Sequence, residues 1–245
     1  MLICNADDPR VMARVGGFAG RLLTFGTATT ATVRAQDVED RGLRGMRARV
    51  TTPAGSGVID TPLLGRGNLS NVLAATAVAV DAGVPFGDIV AAAARLRPAD
   101  RRGAVHSLRD GITLVDDSYN SSPAALRRAL EVVAHEAGAV RKIAVLGEML
   151  ELGDHATRLH AESGQAAAGT GLDLLFTVGG APARELANAA IAAGMPVHAV
   201  TYFETSDQAA PVVAQAIQAG DLVLVKGSRG TRTDIVADRI AAEFA

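Results

Sequence analysis

From Pro123 onward the sequence repeats one pattern, and that pattern leaves few folds open. Short apolar runs, KIAVLG at 142–147, DLLFTVG at 173–179, PVHAV at 196–200 and DLVLVKG at 221–227, alternate with amphipathic stretches. Those stretches predict helices over 123–137, 155–169, 181–193, 206–218 and 231–244. Uniformly apolar runs of this length suit strands buried on both faces, and strands alternating with helices build a parallel sheet wound on both sides. In open sheets of this kind ligands bind beyond the carboxyl ends of the strands, where the winding reverses. Polar residues just past each run are therefore the candidates for chemistry.

The richest such place is ITLVDDSYNSSP, Ile112 to Pro123. A branched apolar run ends on Asp116 and Asp117, followed by Ser118, Tyr119 and Asn120. Ser121, Ser122 and Pro123 then supply N-cap hydroxyls and a first-turn proline for the next helix. Asp110-Gly111 is a hairpin turn pair, so AVHSL should return antiparallel to ITLVD and set Arg101 and Arg102 at the sheet margin. The same residues also suit a strand, a polar turn and a capped helix without a ligand. Two further strand-end loops are polar: LGEMLELGD (Leu146 to Asp154) and KGSRG (Lys226 to Gly230). The second groups two cations, a hydroxyl and flexible backbone before a helix, which fits an anion site and equally a basic turn with a glycine hinge.

The front of the chain reads differently. MLICN, a helix start at Pro9 with Val11, Met12 and Val15 on one face, and RLLTFG form a β-α-β unit. A chain that opens on a core strand is expected to be the back part of something longer. Residues 31–64 read as antiparallel strands about the turn Pro53–Gly57, a hairpin on the domain's rim. GRGNLSNVLAATAVAVDAG (65–83) is a helix whose Asn68 and Asn71 share one face. An amide offers both donor and acceptor, which matches the edge of adenine, while Asn68 equally suits a helix cap. A second helix, PFGDIVAAAARL, ends before Pro98.

Composition excludes several classes. The chain is 49% hydrophobic but only 3% aromatic and has no Trp, so its core is built from Ala, Val, Leu and Ile. A net charge of -2 gives no electrostatic case for nucleic acid or an anionic membrane. A single cysteine, Cys4, allows no internal disulfide and suits a reducing cytoplasm, where the protein is expected to reside. No apolar run approaches the ~20 residues of a membrane span, and no basic-then-apolar leader is visible. GTATTAT (26–32) lacks the second glycine and the lysine of a phosphate loop. LGEMLELG is not GxGxxG, which argues against a dinucleotide oxidoreductase, and no metal-ligand spacing occurs, so no metal residues are assigned.

Taken in order, these segments resemble the Mur ligase family. NADDPRV (5–11) looks like its strand-end segment, and GRGNLSNVLAATAVA (65–79) resembles its G-x-H-N-x-x-N-x-x-A-A helix, with Gly67 where many members carry His. DDSYNSSP (116–123) is similar to the D-x-Y-N-x-N-P signature of one branch, with Ser122 replacing the second Asn. LGEMLELGDHATRLH (146–160) and VKGSRG (225–230) resemble two further segments of that branch. The matches cover nearly the whole chain.

The resemblance implies the back half of a central ATPase-type α/β domain, residues 1–120, then a complete Rossmann-like doubly wound domain, residues 121–245, hinged near Tyr119 to Ser122. It implies an ATP-dependent acid–D-amino-acid ligase that works through an acyl phosphate. The substrates would be a UDP-N-acetylmuramoyl-tripeptide and D-alanyl-D-alanine, and the protein a monomer with no nucleic-acid partner and no membrane insertion. By the same resemblance Asn68 and Asn71 bracket the adenine, and Arg102 and Asp117 hold ribose and phosphate, with Asn120 in the nucleotide site. Lys226, Ser228 and Arg229 lie near the incoming dipeptide or the acyl phosphate, Lys226 and Arg229 as catalytic residues, and Glu148, His160 and Ser228 contact substrate. The cofactors are ATP and Mg2+; the family's metal ligands and phosphate loop would lie upstream, so this chain is expected to be N-terminally truncated and inactive alone. A related Mur or folylpolyglutamate-type amide ligase shares the fold, and a non-catalytic nucleotide- or partner-binding module fits the missing phosphate loop. The DSYN signature and LGEMLELG favour the D-alanyl-D-alanine branch.

Overall fold

Strand β1 (Leu2–Asn5), the single-turn helix α1 (Pro9–Met12) and strand β2 (Leu22–Gly26) make the expected parallel unit, in a computed structural model that describes residues 1–245. Strands β3 (Val33–Asp40), β4 (Met46–Thr52) and β5 (Gly55–Thr61) extend the same sheet in the order β1-β2-β3-β4-β5. The segment expected on the rim therefore supplies most of the sheet. In β4, Met46, Ala48, Val50 and Thr52 are buried while Arg47, Arg49 and Thr51 face out, the period-two pattern of a strand covered on one side. That pattern is blurred in β3, where the pairing with β4 shifts between Gln36 and Glu39 and Asp37 has φ 50°. A bulge of this kind breaks the alternation and makes a sheet strand read as a loop-like edge. Helices α2 (Gly65–Asp81) and α3 (Phe86–Ala94) cover the buried face through Leu69, Val72, Leu73, Ala77, Ile89 and Ala93.

The second unit is residues 98–245, so the two units divide at Arg97/Pro98 and not at the expected 120/121. The reason lies in strand pairing. Strand β6 (Ala104–Ser107) runs antiparallel to β7 (Thr113–Asp117), with Asp110 (φ 58°) and Gly111 (φ 71°) in the left-handed region as the turn requires. Further on come α4 (Pro123–His135), β8 (Lys142–Gly147), α5 (Ala156–Ala168), β9 (Leu174–Val178) and α6 (Ala181–Ala192). Strand β10 (Val200–Phe203), α7 (Ser206–Ala216), β11 (Leu222–Lys226) and α8 (Asp234–Glu243) complete the unit. The sheet order is β10-β9-β8-β11-β7-β6, and β7 pairs with β11 along its whole length. The DSYN turn thus lies well inside the second unit. PVHAV holds a 3-10 turn at Val197–Ala199, and the strand starts only at Val200.

Helices α7 and α8 cover one face of this sheet, packing Ala210, Val213, Val236 and Ile240 against Val145 and Val225. The core is built of small and branched residues, as an aromatic-poor composition requires. Helices α5 and α6 meet at Gly164, where a Cβ would collide with the backbone carbonyl of Leu186. Just before β11, Asp221 is buried and Arg141 grips both its oxygens, Nε to Oδ1 at 3.0 Å and Nη2 to Oδ2 at 2.6 Å. No helix is long and apolar enough to cross a membrane.

Candidate site at the sheet's switch point

The winding of the second sheet reverses about β8: from it the chain runs through β9 to β10 at one edge, then returns to place β11 on the other side of β8, beside the earlier strands β7 and β6. Gly147 ends β8 and Gly227 follows β11, and the loops beyond them cross without room for a side chain. A Cβ on Gly147 would lie 3.0 Å from the Gly227 Cα and 2.7 Å from Thr231 Oγ1. The loops are laced together as well. The Ser228 N–H donates to the Glu148 carbonyl at 3.4 Å, and the Leu150 N–H donates to Ser228 Oγ at 3.0 Å. Glu148 reaches the other way, its Oε2 accepting the Gly180 N–H at 2.6 Å where α6 begins. Ser228 keeps its hydroxyl hydrogen and Glu148 its second oxygen for other partners.

His160 corrects an expectation. It is fully buried, its Nε2 accepts the Met149 N–H at 2.8 Å, and its Nδ1–H donates to the Ala156 carbonyl at 2.7 Å. Both ring nitrogens are committed to backbone, so the ring braces the Glu148–Leu150 loop and cannot touch a substrate. Burial holds its pKa below the usual 6.5, because the charged ring is poorly solvated and a proton on Nε2 would displace the Met149 donor. The neutral ring's contribution is complete above pH 6.5 and drains as pH falls through the window below it, by up to about 1.4 kcal/mol per pH unit. We expect the urea midpoint of the chain to drop between pH 8 and pH 5.5. His160→Gln, which keeps an acceptor for Met149 and does not titrate, should show a visibly shallower drop; an unchanged slope would assign the acid sensitivity elsewhere.

The charged centre of the site is a pair of strand ends. Lys226 closes β11 directly opposite Asp117, which closes β7. Lys226 is 2% exposed, and its Nζ donates to Asp117 Oδ2 at 2.6 Å and to the Asn120 carbonyl at 2.9 Å. Asn120 therefore enters through its backbone, while its side-chain Oδ1 accepts the Ser121 N–H. Burial pushes the Asp117 carboxyl above its usual range; Lys226 opposes that shift, Asp116 adds to it and Arg102 reduces it. The pleat sends the two aspartates to opposite faces. Asp116 accepts from the backbone and hydroxyl of Ser118 and lies 3.9 Å from Arg101, whose Nη2 also reaches both oxygens of Asp238 at 3.0 Å. Arg102 and Arg229 are exposed, and each guanidinium bears on the ring of Tyr119. Arg101 and Tyr119, which the sequence places at the sheet margin and in the DSYN turn without giving them a role, both join this cluster; the left-handed φ of Arg101 (56°) leaves no mark in sequence.

In the first unit, Asn68 Nδ2 donates back to the Leu64 carbonyl at 2.9 Å, and Asn71 Nδ2 reaches Asn68 Oδ1 at 3.5 Å. The two amides do share a face, with Leu64 and not Asn68 at the cap position. The GTATTAT loop turns its backbone donors on Asp7, whose Oδ1 accepts from Thr27 N at 2.9 Å and Ala28 N at 2.8 Å. No group of three or more His, Cys, Asp or Glu side chains is placed to hold a metal ion.

The second unit is thus a doubly wound, Rossmann-like α/β domain with a charged pair at the carboxyl ends of its central strands, where such sheets place their ligands. The chain belongs to the Mur ligase family: "Mur ligase, glutamate ligase domain" matches residues 101–229, and "Mur ligase middle domain" matches residues 1–79. Over 260 residues it is 30% identical to the UDP-N-acetylmuramoyl-tripeptide–D-alanyl-D-alanine ligase of Mycobacterium tuberculosis (strain CDC 1551 / Oshkosh), covering 99% of this chain and 51% of that protein. The ligase of the same name from Bacillus subtilis (strain 168) is 28% identical over 98% of this chain and 51% of its own length. Among solved structures, MurF from Acinetobacter baumannii superposes with a TM-score of 0.84 at 27% identity, over 98% of this chain and 51% of that one. MurF from Thermotoga maritima, solved in complex with ADP, shares the fold with a TM-score of 0.79 at 24% identity, over 98% of this chain and 53% of that one. The chain spans about half the length of the curated relatives it matches.

Proposed function

We propose that this chain carries the nucleotide edge and the acyl-acceptor side of an ATP-dependent amide ligase that joins D-alanyl-D-alanine to a UDP-N-acetylmuramoyl-tripeptide in the cytoplasm. The observation that carries the reading is the placement of Lys226 between Asp117 and the Asn120 carbonyl, within the DSYN and KGSR segments that resemble this branch. ATP, when bound, would supply the phosphoryl group that activates the tripeptide carboxylate as an acyl phosphate. In the first unit, Asn68 and Asn71 offer amide donors and acceptors suited to an adenine edge; in the second, considered by itself, Arg102 offers a fork suited to phosphate or ribose oxygens. Lys226 has two of its three donor positions filled, which orients the third and keeps a fixed positive charge at the strand ends. Ser228 and Arg229 stand on the same laced loop, where the dipeptide meets the Ser228 hydroxyl and phosphate oxygens meet the Arg229 guanidinium. The Mg2+ used by such ligases is proposed to be held by residues outside these 245.

Titration of the labelled chain with D-alanyl-D-alanine, D-glutamate and ATP, followed by NMR, tests this. Saturable shifts at Ser228–Gly230 with the dipeptide but not with D-glutamate, and at Asn68 and Asn71 with ATP, are expected. An equal response to D-glutamate would favour a sister ligase, and no response to either amino compound a binding module. Steady phosphate release from ATP is not expected of the chain alone, since it contains no GxxxxGK[ST] loop.

A further inference from the structure

Four cations gather at the carboxyl ends of β7 and β11, and they divide into two kinds. Lys226 is committed to Asp117 and Arg101 to Asp238 and Asp116. Arg102 and Arg229 have no carboxylate within ion-pair distance; instead both guanidiniums bear on one ring, at 4.3 Å and 5.9 Å from the centroid of Tyr119. We propose that Tyr119 is a positioning residue that gathers Arg102 and Arg229 into a clamp for a phosphate-bearing ligand. The proposal rests on the ligase reading above and adds a residue and a device to it.

The physical point is what an aromatic ring does that a carboxylate does not. An acidic partner orders a guanidinium but neutralises it and occupies its N–H fork. A ring face orders it through the quadrupole and leaves both charge and fork available to an oxyanion. The comparison within this molecule is Arg184, which lies 4.6 Å from the ring of Tyr202 and also 3.7 Å from Glu204, so its charge is already answered. At Tyr119 no acid lies within ion-pair distance of either guanidinium; Asp117, which Arg102 influences at longer range, is already held by Lys226. The backbone that carries the ring is anchored: the Tyr119 N–H donates to the Arg101 carbonyl at 3.1 Å, and the Asn120 carbonyl accepts from Lys226. The backbones of the two arginines are fixed as well, one beside Arg101 and its Asp238 pair, the other beside Ser228 and its Leu150 contact. Only the two side chains need ordering, and one 40% exposed ring orders both.

The test uses the full 245-residue chain and inorganic pyrophosphate as the probe, with NMR of the arginine side-chain Nε–H groups. In the ligand-free chain the Arg102 and Arg229 signals should be ring-shifted, and Tyr119→Leu should return both to ordinary positions. Pyrophosphate affinity should fall about three- to tenfold in Tyr119→Leu, the worth of an exposed cation–ring contact or two, and less than about twofold in Tyr119→Phe, which keeps the ring. In a chain already lacking both guanidiniums, Arg102→Ala with Arg229→Ala, the tyrosine substitution should have no further effect. Unshifted arginine signals in the wild-type chain overturn the proposal, and so does a Phe variant as weak as the Leu variant. If pyrophosphate and ATP bind and Tyr119→Leu alters neither, this proposal falls and the ligase reading stands. If the clamp binds pyrophosphate as described but the chain does not select D-alanyl-D-alanine, the ligase reading falls alone.

Discussion

Arg141→Leu should destabilise the second unit by about 3–5 kcal/mol, the typical effect of stripping one partner from a buried ion pair. The Asp221 side chain is completely buried, and Arg141 supplies two of its hydrogen bonds while its Nη2 also reaches the Ala216 carbonyl at 2.9 Å. The Gln218 N–H donates to Asp221 Oδ2 at 2.7 Å but carries no full charge. Without the guanidinium, the carboxylate is left buried with only neutral donors around it. Urea titration read on amides of β8 and β11 measures the effect. The double variant Arg141→Leu with Asp221→Leu should recover a large part of the loss, because it removes the stranded charge along with the pair. A single-variant loss under about 1 kcal/mol would mean that solvent reaches Asp221, as at a surface pair.

Lys226→Met is the second large effect, and it acts at the opposite end of the same strand. It leaves Asp117 with burial, the main influence raising its carboxyl, no longer opposed by an ammonium, so that carboxyl should titrate at still higher pH than in the parent. The stability loss should be about 2–3 kcal/mol, below that at Arg141, since the Asp117 side chain is 22% exposed and water can answer part of its charge. The expected functional effect is larger: NMR shifts at Ser228–Gly230 with D-alanyl-D-alanine should vanish. Carboxyl 13C titration of Asp117 separates the two effects. An Asp117 carboxyl that moves down, or dipeptide shifts that survive intact, would remove Lys226 from the proposed site.

Much of this architecture is legible in the residues. The alternation after Pro123 announces the wound sheet, and Asp110-Gly111 announces the β6–β7 turn, because both signals are local. What failed to read was non-local. The bulge in β3 spoiled a period-two pattern that only its partner β4 makes sense of. The boundary between the compact units is not legible locally, because nothing within ITLVDD says that its partner is β11, more than a hundred residues later. Asp116 and Asp117 are equivalent as letters, and only the pleat assigns one to Lys226 and the other to Ser118 and Arg101. His160 sits in a segment resembling a substrate loop, yet its two nitrogens hold backbone, a distinction set by how α5 packs under that loop.

The charges at the two ends of β11 have a consequence for the strand between them. Leu222 to Val225 is apolar throughout and buried, so it lacks the inside–outside alternation by which a half-exposed strand specifies its register. Slipping it by one residue would trade leucine for valine at each rung, a modest change in packing. The same slip would pull Asp221 away from Arg141 or carry Lys226 past Asp117. Arg141 immediately precedes β8 and Asp117 ends β7, so each ion pair indexes the central strand against a different neighbour. One of those indexing charges is also the lysine of the proposed site, which ties the alignment of the sheet to the placement of its chemistry.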